Sequence, residues 1–138
     1  MKTKQLLLTL LLAFMPFVAW ADGEWQDPET KVNYSYSSRY GNAWVKAGRF
    51  SSAGSPNASG DISIREKIDI DGKSYRVTFI DSYAFSRCNN LLSVTIPSSI
   101  SMIYPGAFNE CTGLTHVNLP QNLTKIDQIF SYCPKIRR

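Results

Sequence analysis

The side chains with reactive potential near neutral pH are three cysteines, Cys88, Cys111 and Cys133, and one histidine, His116. Thiols in a chain with an export signal (argued below) invite a disulfide reading, but an odd count leaves one unpaired. Their spacing argues further against pairing. The intervals are 23 and 22 residues, which is one position in successive turns of a repeat, so the side chains stack in an inward-pointing column. Neighbouring Cα atoms in such a column come within the disulfide range of roughly 4.4–6.8 Å, yet parallel side-chain directions suit a bridge poorly. Reduced and buried, the thiols serve as small hydrophobes. A linear column offers no tetrahedral ligand set for zinc, and one imidazole adds little. His116 directly precedes Val117 and reads as a solvated surface residue. No serine stands in a Gly-x-Ser-x-Gly elbow, and neither a Gly-rich phosphate loop nor an HExxH motif is present. The acids are scattered rather than paired. The expectation is a protein that is not an enzyme, with no metal and no other cofactor.

The elements that position these residues follow from the same interval. Ala84-Phe85 and Ala107-Phe108 lie 23 residues apart, as do Cys88 and Cys111, Leu91 and Leu114, Val94 and Val117, Ile96 and Leu119, Pro97 and Pro120, Ile100 and Leu123, and Ile103 and Ile126. Ile80 starts the series, and Phe130, Cys133 and Ile136 continue it one residue short. A period of about 20–29 residues with repeated leucine-like positions is the signature of a leucine-rich solenoid. Val117 and Leu119 point to one face of a short strand, Asn118 points out, and Pro120 ends it. Phe108 and Cys111, three apart, sit on one side of a helical turn and line the opposite wall. The expected fold is a repeat solenoid of about 23 residues per coil, each a short strand with a short helical or irregular return. Its expected core is Phe85, Cys88, Leu91, Val94, Ile96, Phe108, Cys111, Leu114, Val117, Leu119, Phe130 and Cys133. Phe85, Val94, Ile96, Phe108, Val117 and Leu119 should each be mostly buried. One coil cannot bury its apolar side alone; stacked coils bury it against each other.

The motif from Ile80 to Ile100 reads Ile-x-x-x-x-Phe-x-x-Cys-x-x-Leu-x-x-Val-x-Ile-Pro-x-x-Ile. It resembles the BspA-like leucine-rich repeat family, found mostly on secreted and surface proteins of bacteria that live on mucosa. The resemblance is strong over residues 80–136. It extends back to Gly60, because Gly60-Asp61-Ile62-Ser63-Ile64 and the segment from Asp71 to Thr78 resemble the degenerate first repeat that often opens these domains. It implies a non-enzymatic binding or adhesion module that contacts host protein, glycan or cell-surface components.

Residues 22–79 are expected to form an N-terminal antiparallel β cap that includes the degenerate first repeat, followed by about two and a half coils over 80–138. Val32, Tyr34 and Tyr36 alternate with polar residues as a strand does. Gly41-Asn42 turns the chain into a second strand over Ala43–Ala47. Residues 51–60 are small and polar and read as a loop. Ile62, Ile64, Ile68 and Ile70 mark two more strands, and Asp71-Gly72 is a hairpin signal into Tyr75–Phe79.

Two surfaces suit ligands. The outward strand residues Ser93 and Thr95 in one coil and His116 and Asn118 in the next form a small, polar, nearly neutral row, suited to hydrogen bonding with glycan or peptide backbone. The aromatic set Tyr34, Tyr36, Tyr40 and Trp44 either contacts carbohydrate or protein or packs the β cap.

Export is read from residues 1–21. Lys2 and Lys4 precede an apolar run from Leu6 to Val18, and Ala19-Trp20-Ala21 puts small residues at the positions a signal peptidase requires. The run is too short to span a bilayer, which needs about 20 residues, and no second run follows. Asp22, not a cysteine, follows the cut, so lipid anchoring there is not expected. The processed chain carries 13 basic and 11 acidic residues, a net +2, which gives no reason to expect nucleic-acid binding. It is expected to be exported, whether periplasmic, secreted or held at the cell surface. A second reading is a structural or assembly module, a truncated repeat protein included. Because the chain stops at Arg138 before the third coil makes its strand, that module would self-associate or dock through its open last coil.

Overall fold

In the computed structural model, residues 22–49, 52–126 and 128–137 are described; the expected signal peptide lies outside the described residues. The strands are β1 (Gly23–Gln26), β2 (Asn33–Ser37), β3 (Asn42–Val45), β4 (Gly60–Ser63), β5 (Lys67–Ile70), β6 (Lys73–Ile80), β7 (Leu91–Thr95), β8 (Met102–Ile103), β9 (His116–Asn118) and β10 (Lys125–Ile126). They form two sheets. The smaller is all parallel, in the order β4-β7-β9. The larger runs β1-β2-β3-β6-β8-β10, with β5 added as a hairpin partner of β6.

The 23-residue interval is visible as register. Val94 lies beside Val117 in the smaller sheet, and Ile80, Ile103 and Ile126 are successive partners in the larger one. Each coil thus gives one strand to each sheet. Side-chain hydrogen bonds repeat the offset. Thr115 Oγ1 donates to the Leu92 carbonyl (3.0 Å), Thr124 Oγ1 to the Ser101 carbonyl (2.9 Å), and Thr112 Oγ1 to Asn89 Oδ1 (3.1 Å). Arg87 and Glu110, also 23 apart, form an ion pair at 2.9 Å. The strands β8 and β10 were not expected from the sequence. At two residues each they are too short to show an alternation, and an isoleucine at the repeat interval is the only mark of each.

Of the helical and irregular returns left open by the sequence, the helical one is corrected: no helix occurs among the described residues. The return is a series of turns in which left-handed residues recur with the repeat. Tyr83 (φ 55°), Gly106 (φ 73°) and Gln128 (φ 47°) hold one such position; Arg87 (φ 61°), Glu110 (φ 56°) and Tyr132 (φ 57°) hold the other. The reason lies in where the backbone N–H groups go. A helix would keep them within the coil. Here the Phe85 N–H donates to the Ala107 carbonyl (2.8 Å), that of Arg87 to Asn109 (2.7 Å), that of Phe108 to Ile129 (3.0 Å) and that of Glu110 to Ser131 (2.8 Å). The return therefore hydrogen-bonds coil to coil as the strands do.

The antiparallel description of the N-terminal region is also corrected. β1, β2 and β3 are antiparallel neighbours, and β5 and β6 form a hairpin across Asp71 (φ 50°) and Gly72 (φ 78°), as the Asp-Gly signal predicts. However, β3 runs parallel to β6, and β4 parallel to β7. Val45 occupies the ladder place of Ile80, and Ile62 that of Val94, so this region is itself a distorted coil that continues both sheets. β6 crosses the boundary placed at residue 79.

Phe85, Cys88, Leu91, Val94, Ile96, Phe108, Cys111 and Leu114 are buried. Phe85 stacks on Phe108 (5.2 Å, 6°) and Phe108 on Phe130 (5.6 Å, 26°). Val117 and Leu119, expected to be mostly buried, are half-buried, as are Phe130 and Cys133. β9 is the outermost strand of its sheet, so Val117 and Leu119 are covered from one side only.

Candidate functional site

The outward face of the smaller sheet is set by alternation. Ile62, Val94 and Val117 point inward in register, which turns their neighbours out. Asp61, Ser93 and His116 form one row across the three strands, and Ser63, Thr95 and Asn118 form the next. Ser93 is half-buried and the other five are exposed. The four residues expected from the sequence are therefore neighbours, and the structure adds Asp61 and Ser63. Their signal was present: Asp61-Ile62-Ser63-Ile64 has the same alternation as Ser93-Val94-Thr95-Ile96. It was obscured because the first strand stands 32, not 23, residues before the second.

The chemistry of the face is hydrogen bonding. Ser93 Oγ donates to Asp61 Oδ1 at 2.6 Å. His116 Nδ1 lies 2.9 Å from Thr115 Oγ1, a neighbour on its own strand. Although Asp, Ser and His share a row, their order does not make a nucleophile and base. Ser93 spends its proton on a carboxylate, whereas activation requires the imidazole to stand between acid and serine.

The cysteines form the expected column behind this face, and all three are free thiols. Each donates to a main-chain carbonyl of the preceding coil: Cys88 Sγ to Ser55 (3.4 Å), Cys111 Sγ to Phe85 (3.0 Å) and Cys133 Sγ to Phe108 (2.9 Å). Burial pushes the Cys88 thiol up to about 12. Cys111 is pushed up by its hydrogen bond to Cys133 and by burial. Among the described residues no cluster of His, Cys, Asp and Glu has a metal-holding arrangement.

The aromatic set divides. Tyr34 is buried, and its hydroxyl accepts the Arg65 N–H at 3.0 Å. Tyr36 packs against Tyr75 (5.0 Å). Tyr40 is exposed, and Trp44 stacks on Phe79 (5.3 Å, 11°) on the outer face of the larger sheet. Tyr34, Tyr36 and Trp44 thus pack within the N-terminal region, and Tyr40 is the exposed member of the set.

No described helix is long and apolar enough to cross a membrane. No curated protein matches the chain. Three solved structures are similar to it. A leucine-rich repeat protein from Bacteroides capillosus is 28% identical with a TM-score of 0.58, over 74% of this chain and 69% of that one. A leucine rich cell surface protein from Faecalibacterium prausnitzii is 19% identical (TM-score 0.57, 84% of this chain), and a leucine-rich repeat protein from Bacteroides ovatus 20% (TM-score 0.53, 67% of this chain). The chain spans only 30% and 23% of the length of these last two, which share the fold alone. The family model described as "BspA type Leucine rich repeat region (6 copies)" matches residues 63–138, more than half of the chain. With its paired parallel ladders and 23-residue register, the chain belongs to the BspA type leucine-rich repeat family.

Proposed function

We propose that the protein is an exported, non-enzymatic binding module. In this reading its stacked coils form a solenoid whose outward strand face contacts host protein, glycan or another cell-surface component. Leucine-rich repeat proteins are generally binding modules, and BspA-type proteins are typically exported or surface proteins of bacteria. The observation that carries the reading is the polar grid of Asp61, Ser63, Ser93, Thr95, His116 and Asn118, held in register on three parallel strands. Side chains fixed on neighbouring strands meet a ligand with little further loss of conformational freedom. Export follows from cleavage near Ala21, which releases the chain to the periplasm, the medium or the cell surface.

The test is binding of the purified protein to immobilised extracellular-matrix proteins and to a glycan panel. A variant with Ser93, Thr95, His116 and Asn118 changed to Ala should lose the binding while keeping its circular dichroism spectrum. Equal binding by that variant would refute the strand face as the site. A second reading, assembly through the last coil, is favoured by one observation. At the C-terminal end Ile126 is 48% exposed and Tyr132 81% exposed beside half-buried Phe130 and Ile136. Sedimentation velocity tests it: a monomer at about 100 μM would set any self-association too weak for a stable interface.

A further inference from the structure

A second surface lies on the other sheet, away from the strand face. Tyr40 and Asn42, Trp44 of β3, Phe79 of β6, Asp81 just after it and Tyr104 just after β8 line a groove of about 390 Å³. That size is within the usual range for small-molecule clefts. The groove exists because of a β-bulge. Ala43 pairs with Val77, but the next residue, Trp44, pairs with Phe79, so Thr78 is skipped. Thr78 and Phe79 then both lie outside the core, while Val77 and Ile80 are fully buried. Without the bulge, Trp44 would stand beside Thr78. With it, the Trp44 and Phe79 rings stack at 5.3 Å and 11°, and Tyr104 meets Phe79 edge-on at 5.6 Å and 75°. The three rings make one continuous aromatic wall, and bulges of this kind recur beside functional sites.

The lining offers both kinds of polar group: the Tyr40 and Tyr104 hydroxyls and the Trp44 indole N–H can donate, and Asp81 accepts. Asn42 Nδ2 donates to Thr78 Oγ1 at 3.2 Å, which uses one of the amide's two N–H groups on the skipped residue. Asn42 Oδ1 is enclosed and has no partner, an uncommon state for a buried polar atom. Asp81 Oδ1 accepts from the Ser82 N–H at 2.8 Å, which holds the carboxylate in place. The Asp81 N–H donates to the Val45 carbonyl, so Asp81 sits level with Val45. The two acceptor groups are thus about three residues apart along the strand, roughly 10 Å at the usual rise.

We infer that this groove binds a neutral saccharide. Such a ligand offers an apolar C–H face to the aromatic wall. It also carries hydroxyl groups spaced around its rim, which donate to the Asp81 carboxylate and pair with the Tyr40 and Tyr104 hydroxyls of the lining. A compact cation suits a box of rings and one carboxylate but leaves the Tyr40 and Tyr104 hydroxyls of the lining unmatched. An anionic sugar meets Asp81 with like charge. The site is independent of the strand face proposed above.

The test is calorimetric titration of the purified protein with hexasaccharides of β-1,4-glucose, β-1,3-glucose, α-1,4-glucose, β-1,4-xylose and β-1,4-mannose, with hexagalacturonate and tetramethylammonium as charged probes. The expected result is that at least one neutral hexasaccharide binds, with magnetisation transfer from the Trp44 and Tyr104 rings to sugar protons. Trp44→Ala should weaken that binding about tenfold, and Asp81→Asn severalfold. The Ser93, Thr95, His116, Asn118 alanine variant should bind it unchanged, which separates this site's failure from that of the strand face. Because Trp44→Ala removes a stacked partner of Phe79, Asp81→Asn and the ring-to-sugar transfer decide the matter if that variant does not fold. No neutral binding at about 10 mM, a preference for either charged probe, or binding indifferent to Asp81→Asn and without ring transfer would each overturn the inference.

Discussion

Cys88, Cys111 and Cys133 each cap a carbonyl of the coil before them, so the column is a hydrogen-bonded device as well as a packing one. Its titration has a definite sign. Burial raises Cys88 from 9.0 to about 12 and Tyr34 from 10.0 to about 12. A group whose folded pKa lies above its unfolded value adds stability that is complete below the unfolded value and lost as pH rises through the folded one. The contribution of these two groups to the urea midpoint should therefore be constant below pH 9 and fall progressively toward pH 12. Cys133 runs the other way, lowered by its neighbour Cys111, and it is half-buried where Cys88 and Cys111 are buried. It should accordingly be the first thiol to react with a disulfide reagent in the native protein. Denaturant should then release a total of three reactive thiols per chain, and a total of one would mean a bridge. The phenylalanine stack has no such titration and is read by truncation. Phe108 is fully buried between Phe85 and Phe130. Phe108→Ala should cost about 3–5 kcal/mol by chemical denaturation; a loss under about 1 kcal/mol would mean the ring is not enclosed.

The elements are held by what happens between coils, and the turns show it best. Gly106 holds the left-handed position that Tyr83 and Gln128 hold in the neighbouring coils. A Cβ at Gly106 would lie 2.4 Å from the Tyr83 ring, so the position needs both a positive φ and no side chain. Gly106→Ala should destabilise by about 1–3 kcal/mol, and pairing it with Tyr83→Ala should recover the steric part in a denaturation cycle. The outermost strands set a second expectation. β9 and β10 have a neighbour on one side only, and Val117, Leu119, Phe130 and Cys133 are half-buried. Residues 128–137 should exchange amide hydrogens faster than Val94–Pro97 in a dilute monomer. Equal protection would show the last turn to be as stable as the centre. The alternation of Ser93-Val94-Thr95-Ile96 made this outward row legible in advance. The turns were not, because Phe108 and Cys111 spaced by three fit a helical turn and a string of β-turns alike.

Across the whole molecule, the N-terminal hairpin is tied to the first coil by a buried charge. Asp27 is fully enclosed, and Arg65 reaches it with Nε at 2.6 Å and Nη2 at 3.1 Å while lying 5.5 Å over the Trp25 ring. Burial pushes the Asp27 carboxyl up, but the Arg65 hydrogen bond, the Glu29 amide and the Arg65 charge outweigh it, so its pKa lies below 3.8. A depressed carboxylate adds stability that is present above 3.8 and lost as pH falls through the lower folded value. Asp27→Ala should cost about 3 kcal/mol at pH 7, the low end for a broken buried pair because Arg65 is 40% exposed. Between pH 4 and 2 the gap to wild type should narrow in urea titrations. The sequence by itself determined the repeat: apolar types recur every 23 residues because each coil must present the same inward set to the next. It determined the strand face for the same reason, since a period of two separates Ser93 and Thr95 from Val94 and Ile96. Only the tertiary structure decided that β3 continues the larger sheet in parallel, that a bulge sets Trp44 against Phe79, and that Asp27 meets Arg65. These pairs join segments 34 to 38 residues apart with no repeated spacing. A periodic pattern records contacts between equivalent positions, whereas a contact between unlike positions leaves no trace until the chain is folded.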